Sequence, residues 1–151
     1  MEYLLHGIEE LPKFTKRKSE SIFLSMGGSD KYDITRKIVD SFSKRTDDFN
    51  LVVVLGRFYD GEKKLSKIIK NDKRFHIIQS PSSITDLMLE ASIGLVTFGI
   101  TVYEAAICQM PLFVISHSDE NDVMSKLVEK YGWISYLGKY DKIDYDNLTT
   151  N

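Results

Sequence analysis

Cysteine is almost absent from this chain of 151 residues, since Cys108 is its single example. One cysteine excludes an internal disulfide and a cysteine-rich metal site. Cys108 lies within the apolar run YEAAICQMPLFVI, whereas reactive thiols need an electropositive, partly exposed site. We therefore expect a buried structural thiol rather than a nucleophile.

The chain also lacks an excess of either charge and any long hydrophobic run. Its net charge is −2 with Lys and Arg scattered, so the dense basic surface that binds nucleic acids or anionic membranes is missing. No apolar run reaches the roughly 18 residues of a membrane span. The first 20 residues include Glu2, Glu9 and Glu10 and do not resemble a secretory signal. We expect a cytoplasmic protein that binds no nucleic acid and has no membrane span.

What the sequence does contain is an alternation of two kinds of segment. Short β-rich runs predict strands, and the segments between them carry apolar residues three and four positions apart, as one-faced helices do. The predicted strands are residues 21–26, 50–56, 75–79, 92–98, 111–116 and 133–137.

This alternation predicts an α/β fold, a Rossmann-like doubly wound parallel sheet of about six strands. The strand LVVVL is apolar on both faces, as expected where helices cover both sides of a sheet. We predict one domain over residues 21–151, preceded by a connector over residues 1–20. Ligands bind outside the carboxyl ends of strands in such sheets, so the loops that follow the strands are the candidate site.

The first of these loops contains Gly27 and Gly28, in the stretch SMGGSD. Glycines permit positive φ and close approach of a ligand, and the N-terminus of the next helix favours an anion such as phosphate. The alternative is a tight strand-to-helix turn with Asp30 or Asp33 as N-cap. Neither G-x-G-x-x-G nor G-x-x-x-x-G-K-[ST] is present, which disfavours the dinucleotide fingerprint and the P-loop.

The second informative loop is TFGITVYEAAICQMP. Gly99 allows a sharp exit from the fourth strand, and Glu104 lies near the start of the helix that follows. A carboxylate at this position suits two vicinal hydroxyls such as those of a ribose. The alternative is a capping box with Thr101 at N-cap and Glu104 at N3.

Taken in order, the motifs S-x-GGSD, VVVLG, I-x-D-L-M-x-EA, T-V-x-E-A-x-x-x-x-x-P-x-x-V-I and D-E-N resemble the C-terminal, nucleotide-binding half of the GT-B superfamily. The nearest relatives by this resemblance are the UDP-sugar hydrolase of pseudaminic acid synthesis and its spore-coat polysaccharide homologues. MurG-type N-acetylglucosaminyltransferases are more distant. The lead-in EYLLHGIEELPKF is similar to the inter-domain connector of that hydrolase, so the resemblance spans residues 3–137.

The resemblance implies the UDP-sugar-binding half of a hydrolase or glycosyltransferase that acts in surface polysaccharide or glycan biosynthesis. It implies no metal and no cofactor, because a helix end and backbone amides take the diphosphate charge. The residues implied are Gly27, Gly28 and Ser29 for the diphosphate; Pro81, Ser82 and Ile84 for uracil; Glu104 for the ribose; Gly99, Ile100 and Thr101 for the phosphate and sugar side; and Glu120 and Asn121 for the sugar.

The sequence departs from the family pattern at three positions. Phe98 replaces a small residue, Ile100 a glycine and Asp122 a glutamine, and the bulkier rim could shrink the pocket or change which sugar fits. These departures favour a rival interpretation, a degenerate, non-catalytic α/β module that serves as an interaction domain. A further rival is a complete small enzyme that works alone.

The family's catalytic histidine and acceptor site belong to an N-terminal domain that this sequence does not contain. We therefore expect the isolated chain to be inactive and to need such a domain in cis or as a separate chain. His117 lies at a strand end near the predicted cleft, but no nucleophile and base can be paired in this sequence. Hydrolase and transferase are not distinguished.

Overall fold

The computed structural model describes residues 20–148, and all of the predicted connector except Glu20 lies outside the described residues. No helix within residues 20–148 has the length and apolarity needed to cross a membrane. The strands are β1 (Ser21–Ser25), β2 (Asn50–Leu55), β3 (Phe75–Gln79), β4 (Ile93–Thr97), β5 (Leu112–Ser116) and β6 (Ser135–Lys139). The helices are α1 (Ile34–Ser43), α2 (Glu62–Ile69), α3 (Ile84–Glu90), α4 (Ile100–Ile107) and α5 (Asp119–Glu129), with a 3-10 helix at Tyr145–Asn147.

The strands form one parallel sheet in the order β3-β2-β1-β4-β5-β6, which confirms the predicted doubly wound fold. The last strand was predicted two residues too early, over 133–137. Trp133 belongs to the turn before β6 and is 62% exposed, and the pairing with β5 starts at Ser135. The first two residues of WISYL, although apolar, therefore precede the strand rather than belong to it.

Alternate residues of the central strands enter two separate cores, one on each face of the sheet. Phe23 and Val54 pack on the face with Cys108, whereas Leu24 and Val53 pack on the face with α1. Burial on both faces is what the continuous apolar strands predicted. Cys108 is buried, as expected.

The order of the strands positions the candidate site. The chain leaves β1 towards β2 on one side, while β4, the other neighbour of β1, continues towards β5. The loops after β1 and β4 therefore diverge and leave a crevice between them, which is the ligand position of doubly wound sheets.

The loop after β2 supports the loop after β1 from behind. The Phe58 amide donates to the Gly28 carbonyl over 3.0 Å. A Cβ added to Gly56 would lie 2.4 Å from both the Cα and the carbonyl oxygen of Gly28. Gly56 is thus required by close backbone packing rather than by a ligand.

Candidate functional site

A cleft of about 590 Å³ lies at the carboxyl edge of the sheet, between the loops that follow β1 and β4. Its walls are residues 26–32 on one side and 97–101 on the other, with Ile34 at the start of α1. His117 and Ser118, which follow β5, complete it. The cleft is therefore at the crevice that the strand order creates.

The predicted site residues fall into two groups. The glycine-loop and α4 residues line the cleft together: Gly27, Gly28, Ser29, Gly99, Ile100 and Thr101. The others lie outside its lining, on the turn before α3, at the first residue of α3, on α4 and on the first turn of α5: Pro81, Ser82, Ile84, Glu104, Glu120 and Asn121. The structure brings together the residues predicted for the diphosphate, whereas those predicted for uracil and the ribose, and Glu120 and Asn121 predicted for the sugar, lie outside the lining of the cleft.

The N-terminus of α1 is occupied by the protein's own carboxylate. Asp30 accepts hydrogen bonds from the amides of Ile34, at 2.9 Å, and Thr35, at 2.7 Å. Asp33 stands at the N-cap position in a left-handed conformation, φ 55°, and its side chain makes no capping bond. Of the two caps considered from the sequence, Asp30 provides the bonds, and these two amides are not free for an anion.

Burial raises the pKa of Asp30 above its ordinary 3.8, although the hydrogen bonds from Thr35 and Ile34 oppose that change. A carboxyl whose pKa is higher in the folded state stabilises the fold most below the unfolded value. That contribution is lost as pH rises through the folded value.

We expect the unfolding free energy of the natural chain, relative to Asp30→Asn, to fall as pH rises from below 3.8. Urea unfolding of both chains at a series of pH values measures this difference. Asp47→Asn is the matched control, because Arg45 lowers the pKa of the exposed Asp47 and the difference should run the opposite way. Relative stability that rises with pH at Asp30 would contradict the assignment.

Three other helices also begin beside an acid or a side-chain acceptor. Glu62 lies in the first turn of α2, and Ser83 accepts from the Asp86 amide at the start of α3. At α5, Ser118 accepts from the Asn121 amide, and the first turn carries acidic residues. These groups offset the positive end of each helix dipole.

Helix α4 differs from the other four helices of residues 20–148. Gly99 is its N-cap, no side chain bonds its first amides, and no acid lies in its first turn. Its Ile100 and Thr101 line the cleft, so the uncapped, positive end of α4 is the feature of the cleft best suited to an anion. The capping-box alternative was wrong, because the helix begins at Ile100 and places Thr101 at its second position.

Two glycines keep this end of the cleft open. A Cβ added to Gly28 or to Gly99 would meet no heavy atom within 4 Å. Gly99 has φ 173°, an extended conformation that any residue adopts. Folding therefore places little demand on these two positions, in contrast to Gly27 with φ 85°. Their lack of a side chain leaves space for a ligand.

A lysine and a histidine, Lys31 and His117, border the cleft. Lys31 has its Nζ 5.6 Å from the centroid of the Tyr32 ring. Lys31 was not predicted as a site residue from the sequence, because its position at the cleft depends on the conformation of the turn after Gly28. Within residues 20–148, no group of three or more His, Cys, Asp or Glu side chains could hold a metal ion.

Glu104 lies half-buried on α4, against which α3 packs. Its carboxylate has no hydrogen bond or ion pair with any of residues 20–148. An acid without an internal partner, close to a cleft, is suited to accept hydrogen bonds from a ligand.

The three departures from the family pattern have different consequences. Phe98 lines the cleft but is only 7% exposed, and its ring packs edge-on to Tyr103 with ring centroids 6.4 Å apart. Ile100 is 76% exposed at the mouth. Asp122 accepts from Tyr136 and from Lys126, which hold its pKa below the ordinary value. The acid at position 122 is therefore engaged within the protein.

No family model matches the chain. It is similar to the spore coat polysaccharide biosynthesis protein SpsG of Bacillus subtilis, with 24% identity over 135 residues, 88% of this chain and 40% of that protein. It is also similar to the uncharacterised protein MJ1062 of Methanocaldococcus jannaschii, with 25% identity over 114 residues, 74% of this chain and 24% of that protein.

Among solved structures, one that describes EarP-mediated arginine glycosylation of translation elongation factor EF-P matches 87% of this chain and 43% of its own. The TM-score is 0.46 and the identity 12%. The chain thus spans less than half the length of each of these three proteins.

Proposed function

We propose that this chain is the UDP-sugar-binding half of a GT-B-type hydrolase or glycosyltransferase in the cytoplasm, acting in surface polysaccharide or glycan biosynthesis. The observation that carries the proposal is the uncapped N-terminus of α4, which opens onto the cleft between two glycine-containing loops. A diphosphate there would meet the amides of Ile100 and Thr101 and the positive end of the helix dipole.

The rest of the ligand extends from that anchor in two directions. Glu104, which has no partner among residues 20–148, would accept hydrogen bonds from the ribose, and the segment from Pro81 to Ile84 would contact uracil through its backbone. Glu120 and Asn121, on the first turn of α5, would face the sugar. No metal is needed to neutralise the diphosphate, because backbone amides and Lys31 supply positive charge.

The similarity to a spore coat polysaccharide biosynthesis protein supports a role in polysaccharide biosynthesis. This chain matches only 40% of that protein, which supports the proposal that catalysis needs a second domain. Two of the most exposed large apolar side chains, Phe58 and Ile100, lie in segments at the carboxyl edge, each 76% exposed. Exposed apolar groups around a cleft are typical of a surface that a partner covers. The catalytic half would close over this edge, in cis or as a separate chain.

Titration calorimetry with UDP tests the proposal. We expect UDP to bind the isolated chain with a micromolar-range Kd and uridine to bind at least about tenfold more weakly, because it lacks the charges that meet α4. No sugar hydrolysis is expected from the isolated chain. Absence of binding at millimolar UDP would instead support the interaction module, for which the exposed Ile100 in the rim is the favouring observation.

A further inference from the structure

We propose that Tyr140 is a positioning residue for the cleft, one that fixes the loop after β1 relative to the end of β5. This inference rests on the proposed function for its effect on ligand binding. Its effect on the loop itself can be measured without a ligand.

Tyr140 touches both of the segments that it would hold together. Its ring stacks on the ring of Tyr32, with centroids 4.0 Å apart and planes inclined by 23°. Its amide donates to the carbonyl of Ser116, the last residue of β5, over 2.8 Å. Tyr32 lines the cleft, and Ser116 directly precedes the cleft residue His117.

The segment that follows β6 in turn holds Tyr140. The Tyr145 hydroxyl donates to the Tyr140 carbonyl over 2.9 Å. Lys37 of α1 places its Nζ 5.8 Å from the Tyr140 ring centroid and 5.4 Å from the Tyr145 ring centroid. Lys44 forms an ion pair with Asp146 at 3.1 Å. Tyr140 is therefore attached to the helix that follows the glycine loop as well as to β5.

The stack limits what Tyr32 can do in the cleft. One face of its ring is covered by Tyr140, and the Lys31 ammonium lies 5.6 Å from its centroid. Tyr32 therefore acts as a fixed wall rather than as a platform for a base. A loop already held in its binding conformation loses less entropy when a ligand arrives, which favours tighter binding.

Three variants of the full chain separate positioning from general stability. Tyr140→Ala removes the stack, and Tyr140→Phe keeps it. Phe49→Ala is the matched control, because the Phe49 ring packs edge-on against the rings of Phe42 and Phe75, with centroids 5.3 Å apart in each pair. Phe49 directly precedes β2 and so lies at the amino edge of the sheet, opposite the cleft. Urea unfolding gives the stability of each variant.

Amide hydrogen exchange reports the loop directly. The amides of Asp33, Ile34 and Thr35 all donate to Asp30, so their protection depends on how well the loop is held. In Tyr140→Ala we expect exchange at these amides to accelerate about tenfold relative to Phe49→Ala, the scale of a lost aromatic stack. Tyr140→Phe should exchange as the natural chain does. Equal exchange in Tyr140→Ala and Phe49→Ala would overturn the positioning role.

UDP affinity then tests the link to the ligand. The Kd should rise about tenfold in Tyr140→Ala and stay unchanged in Tyr140→Phe and Phe49→Ala. If the natural chain binds UDP and Tyr140→Ala binds it equally well, the link is refuted while the proposed function stands. If the natural chain does not bind UDP, the proposed function fails and the exchange data alone decide the positioning role.

Discussion

Replacing Gly99 with valine is expected to leave the fold intact and to weaken UDP binding by about a hundredfold. The backbone of Gly99 is extended, and no heavy atom lies within 4 Å of an added Cβ, so the folded chain can accept the side chain. The same side chain would fill the space in front of the α4 amides. Loss of two hydrogen bonds to a charged phosphate amounts to about a hundredfold in affinity.

Gly56→Ala is the control for loss of fold. Its Cβ would lie 2.4 Å from the backbone of Gly28, which cannot move without disturbing the loop after β1. We expect overpacking to lower the unfolding free energy by about 1–3 kcal/mol. Urea unfolding and calorimetry on both variants separate the two effects, and a Gly99→Val chain that binds UDP like the natural one would place the diphosphate elsewhere.

Glu104→Ala is expected to weaken UDP binding about thirtyfold, the effect of losing a charge-assisted hydrogen bond to the ligand. Stability should stay unchanged, because the carboxylate has no partner among residues 20–148 and alanine favours a helix. Glu62→Ala, on α2, is the matched control and should bind UDP normally.

A ligand that lacks the ribose hydroxyls provides a second test of the role of Glu104. A 2′,3′-dideoxyuridine diphosphate should bind the natural chain about thirtyfold more weakly than UDP does. It should bind Glu104→Ala with the same affinity as the natural chain. Calorimetry with both ligands completes the cycle. If Glu104→Ala weakens both ligands equally, Glu104 does not contact the ribose.

The fold follows from the sequence because its determinants are local and repetitive. Strands such as LVVVL require cover on both faces, and the helical spacing between them leaves few alternatives to a doubly wound sheet. The exception is the start of β6, where the exposed Trp133 resembles a strand residue in composition alone.

The site could be predicted only in part, because capping depends on turn geometry rather than on spacing. The sequence places glycines and candidate N-caps before both α1 and α4, and therefore does not decide which helix end is free. The answer depends on the left-handed conformations of Asp30 and Asp33, which bring the Asp30 carboxylate back onto the α1 amides.

Contacts between distant segments also escaped prediction. Tyr32 stacks on Tyr140, which follows β6, and the largely buried ring of Phe98 packs against Tyr103. A single sequence gives no signal for such pairs, since each requires the packed sheet before it exists.

Addition of UDP to the ¹⁵N-labelled chain, followed through its amide resonances, tests most directly whether a diphosphate meets the free end of α4. We predict that the largest saturable shifts occur at Ile100 and Thr101, with smaller shifts at Gly28. Shifts centred instead on Ile34 and Thr35, or no shift at millimolar UDP, would contradict the proposed site.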